Sequence, residues 1–131
     1  MRFLIDSDVL IAVFGSNPHA IQSLQELRRD GVGISIISHA EVFEGAFGYP
    51  DTETRLATYR RFLSQFETLG LSGPIMEIFG RTRSDLRRMG MLIPDMDLLI
   101  AATAMHRDAT LVTRNLRHFD RIVGLRTYRP Y

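Results

Sequence analysis

Apolar positions in this chain fall into short continuous runs that alternate with stretches of helical period. Phe3-Leu4-Ile5 is a continuous apolar triplet ending at Asp6, a buried-strand signal, and Val9, Leu10, Ile11, Val13 and Phe14 follow as a short apolar helix running to Gly15. Asn17-Pro18 opens a second helix whose Ile21, Leu24 and Leu27 share one side, and Gly31 closes it. Val32 to Ile37 reads as a second strand, followed by a helix from Ser38 to Gly48. After Pro50-Asp51 a long helix is predicted over Thr52 to Phe66, then a brief strand over Leu69 to Leu71. Gly73-Pro74 starts a further helix, with Ile75, Ile78, Phe79, Thr82 and Leu86 inward, that runs to about Arg88 and stops at Gly90. Leu98 to Met105 is almost wholly apolar with small residues, so it predicts a helix buried against a sheet. Thr110 to Thr113 reads as a strand, Leu116 to Phe119 as a turn or short helix, and Leu125 to Tyr128 as a last strand. Strands separated by helices need crossover connections, which predicts an α/β fold: a mostly parallel central sheet flanked by helices on both faces. The 131 residues suit one domain over 1–131, without a linker or internal repeat.

Composition sharpens this picture mainly by what is missing. There is no cysteine, which excludes thiolate nucleophiles and thiolate zinc sites and accords with a reducing compartment. There is no lysine either: all 16 basic residues are arginine, so P-loop and Schiff-base lysines are excluded. An acid interrupts the first apolar run after three residues, and no run reaches the ~18 apolar residues of a membrane span. The expectation is a soluble cytoplasmic protein. The net charge of +1 carries no information about a nucleic-acid partner, but the arginines are uneven. Arg81, Arg83, Arg87 and Arg88 crowd one stretch, and Arg114, Arg117, Arg121, Arg126 and Arg129 another.

In an open parallel sheet, functional groups gather at the carboxyl ends of the strands. Asp6 ends the first strand, Glu41 lies in the first turn of the helix after the second, and Asp97 stands near the start of the buried helix. Each has a structural reading: Asp6 as an N-cap, Ser38-x-x-Glu41 as a capping box, Asp97 as complement to a helix dipole. Together they predict a partly buried acidic cluster. Two carboxylates about 4 Å apart repel by about 4 kcal/mol at an effective dielectric near 20, and a divalent cation removes the conflict. Oxygen-only ligands suit Mg²⁺ or Mn²⁺, and the matching chemistry is phosphodiester hydrolysis by an activated water.

Four blocks in order carry a family resemblance: Phe3-Leu4-Ile5-Asp6-Ser7-Asp8-Val9-Leu10-Ile11, Ile37-Ser38-His39-Ala40-Glu41-Val42-Phe43-Glu44-Gly45, Ile93-Pro94-Asp95-Met96-Asp97-Leu98-Leu99-Ile100-Ala101-Ala102-Thr103-Ala104, and Thr110-Leu111-Val112-Thr113-Arg114-Asn115. With these the chain resembles PIN-domain ribonucleases, most closely the VapC-like toxins of toxin–antitoxin modules, over nearly its whole length. The resemblance implies a Mg²⁺- or Mn²⁺-dependent endoribonuclease with Asp6, Glu41 and Asp97 as the acidic site. Asp6 and Asp97 are then direct metal ligands, and Glu41 contacts the metal directly or through water. Ser7 and Thr113 stand where the family often supplies a supporting hydroxyl, and Asn115 where it supplies a polar group. A VapB-like antitoxin and a homodimer are implied in the same way.

The chain departs from a common family pattern at the fourth acid, whose usual places hold Asn115 and His118, with Asp120 just beyond. This leaves one or two metals open. His118 reads as a surface residue, with a neutral ligand or phosphate contact as the alternative. Asp8 and Asp95 read as helix caps, with support of the site as the alternative. Glu44 shares a helix face with Glu41, which allows an outer role, while His19, His39 and His106 show no ligand spacing. For RNA the best cations are Arg114, then Arg117 and Arg87 with Arg83 and Arg88. Two other functions compete: a haloacid-dehalogenase-like phosphatase using Asp6 as nucleophile, and a PIN-like fold that binds RNA or an antitoxin without cleaving.

Overall fold

The computed structural model describes residues 1–131. In chain order the elements are β1 (Phe3–Ile5), α1 (Ser7–Phe14), α2 (Pro18–Leu27), β2 (Val32–Ser35), α3 (Ile36–Ala46) and α4 (Thr52–Leu63). They continue with β3 (Glu67–Leu69), α5 (Gly73–Arg88), α6 (Asp95–His106), β4 (Thr110–Val112), α7 (Leu116–Phe119) and β5 (Thr127–Tyr128). The strands form one sheet in the order β3-β2-β1-β4-β5, and every pairing is parallel. Residues of β1 register with both neighbours, Phe3 against Val32 on one side and Thr110 on the other, so β1 is the central strand. Gly31, with φ +89°, turns the chain into β2, and its carbonyl accepts from the backbone N–H of Arg2 and Phe3 at 3.0 and 3.1 Å.

The sheet separates two apolar cores, as alternation along the strands requires. Leu4 and Leu111 point to a core shared with Leu86, Ile93, Leu98, Ile100, Ala101 and Ala104 of α5, α6 and the segment between them. Ile5 and Val112, one residue on, point to the other core with Val9, Leu10, Leu24, Val42, Leu56, Tyr59 and Leu63 of α1 to α4. Helices therefore cover both faces, as the alternation of strands and helices predicts. The small residues Ala101, Ala102 and Ala104 are buried and let α6 lie close to its neighbours. No helix is long and apolar enough to cross a membrane.

Several boundaries differ from the sequence reading. The second strand ends at Ser35 rather than Ile37, because the Ser35 hydroxyl accepts from the N–H of Ile37 at 3.1 Å and starts α3 there. Ser38-x-x-Glu41 is therefore not a capping box, and Glu41 sits in the second turn of its helix. The long helix stops at Leu63 rather than Phe66, with Ser64 as its C-cap. The third strand is Glu67–Leu69 instead of Leu69 to Leu71, set by pairing of Ser35 with Leu69. The last strand is only Thr127–Tyr128.

Candidate active site

β1 and β4 run side by side, and the first residue after each strand is polar. Asp6 follows β1, its backbone N–H donating to the Val112 carbonyl at 2.9 Å, and Thr113 follows β4. Asp6 is buried and caps α1, accepting from the Ser7 N–H at 2.8 Å through Oδ1. The Thr113 hydroxyl donates to its other oxygen, Oδ2, at 2.7 Å. Asp97 enters from the first turn of α6, and its charge is felt at Asp6.

Glu41 reaches the same corner through a chain of hydroxyls. Ser7 Oγ lies 2.6 Å from Glu41 Oε1 and 3.0 Å from Ser38 Oγ. A hydroxyl has one proton, so Ser7 donates to the carboxylate and accepts from Ser38. Ser38 and Ser7 are buried, which makes this donor chain the fixed support of the half-buried Glu41. The sequence offered a signal for Ser38: it falls four residues before Val42 on the inward face of α3, where a polar residue needs a partner.

The electrostatics mark Asp6 as the stressed member. Burial is the largest cause, and with the repulsion of Asp8 and Asp97 it outweighs the hydrogen bonds from Thr113 and Ser7, raising the Asp6 carboxyl from 3.8 to about 7. Burial also raises Asp8. Asp8 is not a helix cap, that role being taken by Asp6. Its Oδ2 accepts from the backbone N–H of Arg114 at 3.0 Å, clamping the segment after β4 onto α1, and its buried Oδ1 has no partner. Asp95 is likewise no cap: Pro94 holds that position, and Asp95 pairs with Arg83 Nε at 2.8 Å.

His118 is not a simple surface residue. Its Nδ1 lies 2.8 Å from Asp97 Oδ2 and 2.9 Å from the Asn115 side-chain amide, while the Asn115 N–H donates to Thr113 Oγ1 at 2.9 Å. The spacing Asn115-x-x-His118 on a short helix after a strand was the available signal. Arg114 is exposed beside the cluster, its guanidinium 4.5 Å from the centre of the Tyr131 ring. Arg117 and Arg87 are exposed. Arg83 and Arg88 are engaged with Asp95 and Asp85. Glu44 is exposed on α3.

A hard divalent cation fits this donor set. The acids are oxygen donors, Asp6 is held in an environment that penalises its charge, and Asp8 Oδ1 is buried without a partner. No three Asp, Glu or His side chains form a ready-made cation cage. Mg²⁺ needs none, since it is commonly bound by one or two carboxylates together with water and substrate phosphate.

Residues 3–125 match the PIN domain family. The chain belongs to that family. Among its PIN-domain relatives, a ribonuclease VapC2 of Haemophilus influenzae is 31% identical over 127 residues, covering 97% of this chain and 96% of the relative. A tRNA(fMet)-specific endonuclease VapC of Shigella flexneri is 28% identical over 127 residues, with the same coverage. The fold is similar to that of a chain in the crystal structure of VapBC2 from Rickettsia felis bound to a promoter DNA fragment. The TM-score is 0.90 at 28% identity, covering 98% of each chain.

Proposed function

We propose that this PIN-domain protein is a divalent-metal-dependent endoribonuclease, the toxin of a toxin–antitoxin pair. The observation that carries the reading is the hydrogen-bonded segment Thr113 to His118 that ties Asp6 to Asp97 at the edge between β1 and β4, in a chain whose full-length relatives are named ribonucleases. Asp6 and Asp97 are the direct holders of Mg²⁺ or Mn²⁺, and Glu41 faces the same corner. When bound, the metal supplies a Lewis acid that makes water a nucleophile near neutral pH and offsets charge building on the phosphodiester. Glu41, fixed by Ser7 and Ser38, orients the water and takes its proton. One P–O bond forms as the other breaks, and the departing oxygen takes a proton from solvent, leaving a phosphate monoester and a free hydroxyl. Thr113 holds Asp6 in place throughout. Arg114, with Arg117 and Arg87, draws the RNA backbone to an otherwise repelling acidic corner. The acid at Glu41 and its buried hydroxyl support have no role in a phosphatase using Asp6 as nucleophile, which disfavours that alternative.

The antitoxin partner follows from the VapBC complexes this chain resembles and from an apolar groove of about 210 Å³. Ile11, Phe14, Val42, Tyr49 and Tyr59 line it, between α1, α3 and α4. Ile11 is 55% exposed there, so the groove suits an apolar helix face of a VapB-like chain. Homodimerisation and action in the cytoplasm belong to the same reading, and light scattering on the isolated chain tests the first.

The deciding experiment incubates metal-stripped protein with end-labelled total RNA, with and without Mn²⁺ or Mg²⁺, beside a folded Asp97→Asn variant. Cleavage that requires metal and disappears in the variant is the expected result. Metal-independent cleavage retained by the variant overturns the reading. Metal binding without any cleavage by the wild-type chain favours a binding-only protein.

A further inference from the structure

Asp6 and Asp97 belong to elements that are far apart in sequence, and one short segment joins them. Starting at Asp6 Oδ2, hydrogen bonds pass to Thr113 Oγ1 at 2.7 Å and from there to the Asn115 N–H at 2.9 Å. They continue from the Asn115 side chain to His118 Nδ1 at 2.9 Å, and from that nitrogen to Asp97 Oδ2 at 2.8 Å. Asp8 Oδ2 pins the middle of the same segment through the Arg114 N–H. Residues 113–118 are thus a belt fastened at both acids.

One ring nitrogen serves both Asn115 and Asp97, which restricts the protons. The Asn115 side-chain nitrogen stands 2.9 Å from this ring nitrogen. A lone pair there cannot accept from it while also bonding the acceptor oxygens of a carboxylate, so the consistent arrangement has Nδ1–H donate to Asp97 Oδ2, with the Asn115 amide turned to present its oxygen to the ring. His118 is then a donor aimed at Asp97. It stands beside an acidic corner in which Asp8 and Asp97 already repel the charge of Asp6.

We infer that His118 is a positioning residue for Asp97: its Nδ1–H engages Oδ2 of Asp97 and fixes that carboxylate for a divalent cation, without His118 becoming a ligand. The inference rests on the metal-dependent reading above. A donor at this position orients a metal-binding carboxylate without adding charge, and loss of such a partner typically costs roughly 10–100-fold in metal affinity.

The test is Mn²⁺ binding by calorimetry on the full chain, comparing wild type with His118→Ala and His118→Asn, each checked for folding by thermal melting. Asparagine keeps an N–H near the Nδ1 place. His118→Ala is expected to bind roughly 10–100-fold more weakly, and His118→Asn to recover most of that loss. Pulsed electron paramagnetic resonance of the Mn²⁺-loaded wild type is expected to show no directly coordinated imidazole nitrogen. Unchanged affinity in the alanine variant, no recovery with asparagine, or a coordinated ring nitrogen each overturns the proposal. A ¹⁵N spectrum of the metal-free wild type tests the belt independently of metal binding. The Nδ1–H tautomer of His118 is expected whether or not metal binds, and a bare Nδ1 sinks the belt by itself. Absence of Mn²⁺ binding in a chain that shows the Nδ1–H tautomer refutes the metal reading, and the proposal with it.

Discussion

At the residue scale the protein is organised around a carboxylate that folding makes uncomfortable. Asp6 has a folded pKa of about 7 against 3.8 for a free aspartate, mainly through burial. Between those values the folded chain binds a proton that the unfolded chain releases. The stability Asp6 contributes is therefore full below about pH 4 and is lost as pH rises through 7, at about 1.4 kcal/mol per pKa unit. Asp8, also raised, acts in the same direction. Chemical denaturation of metal-free protein from pH 4 to 8 is expected to show a fall attributable to these groups, and Asp6→Asn is expected to flatten it. That variant should melt higher than wild type at pH 8 without metal, yet cleave no RNA. An unchanged pH profile in Asp6→Asn would place the stress elsewhere. Mn²⁺ binding, which needs the deprotonated acid, is expected to strengthen as pH passes through 7.

At the scale of elements, what matters is how each helix or strand delivers one side chain to the corner. Ser35 is buried at the junction of β2 and α3, and its cap decides that Ser38 and Glu41 stand on the turns they do. Ser35→Ala is expected to cost about 1 kcal/mol in denaturant unfolding. Because the helix remains anchored by Val42 and Ala46, the cleavage rate per folded molecule should stay close to wild type. Thr113→Val probes the belt's other end, removing the donor to Asp6 and the acceptor for Asn115 without changing shape. It is expected to cost about 1–3 kcal/mol and to weaken cleavage, measured as unfolding free energy and kcat on one RNA.

At the scale of the whole molecule, two surfaces carry different work. The acidic corner and Arg114 belong to the edge after β1 and β4, while the apolar groove lies between α1, α3 and α4. Arg114→Ala and Arg117→Ala are expected to weaken binding of single-stranded RNA, each removed phosphate contact lowering the salt slope by about 0.7, read from affinities at several salt concentrations. Ile11→Asp should leave RNA cleavage intact but weaken binding of a VapB-like chain by about 10-fold or more, since it places an unpaired charge in an apolar groove. An equal loss of both activities would show that the groove and the corner are not separate surfaces.

The sequence by itself determined the alternation of strands and helices, the parallel sheet, and the candidacy of Asp6, Glu41 and Asp97 as acids near strand ends and helix starts. It could do so because these are local facts: apolar runs, turn residues, and acids at the ends of strands. The α6 stretch was legible for the same reason, its composition admitting only a buried helix. What the tertiary structure alone decided is who touches whom at the corner. Ser38 looked like a cap residue until its neighbour across the fold proved to be Ser7, and Asp8 resembled a cap until the segment after β4 was laid against it. His118 passed for a surface residue because its partner, Asp97, is 21 positions away and reaches it only when α6 and β4 pack together. Hydrogen bonds between distant segments leave no periodic trace in a sequence, since either partner alone is compatible with many folds. Only the packing of β1 beside β4 turns those residues into a site.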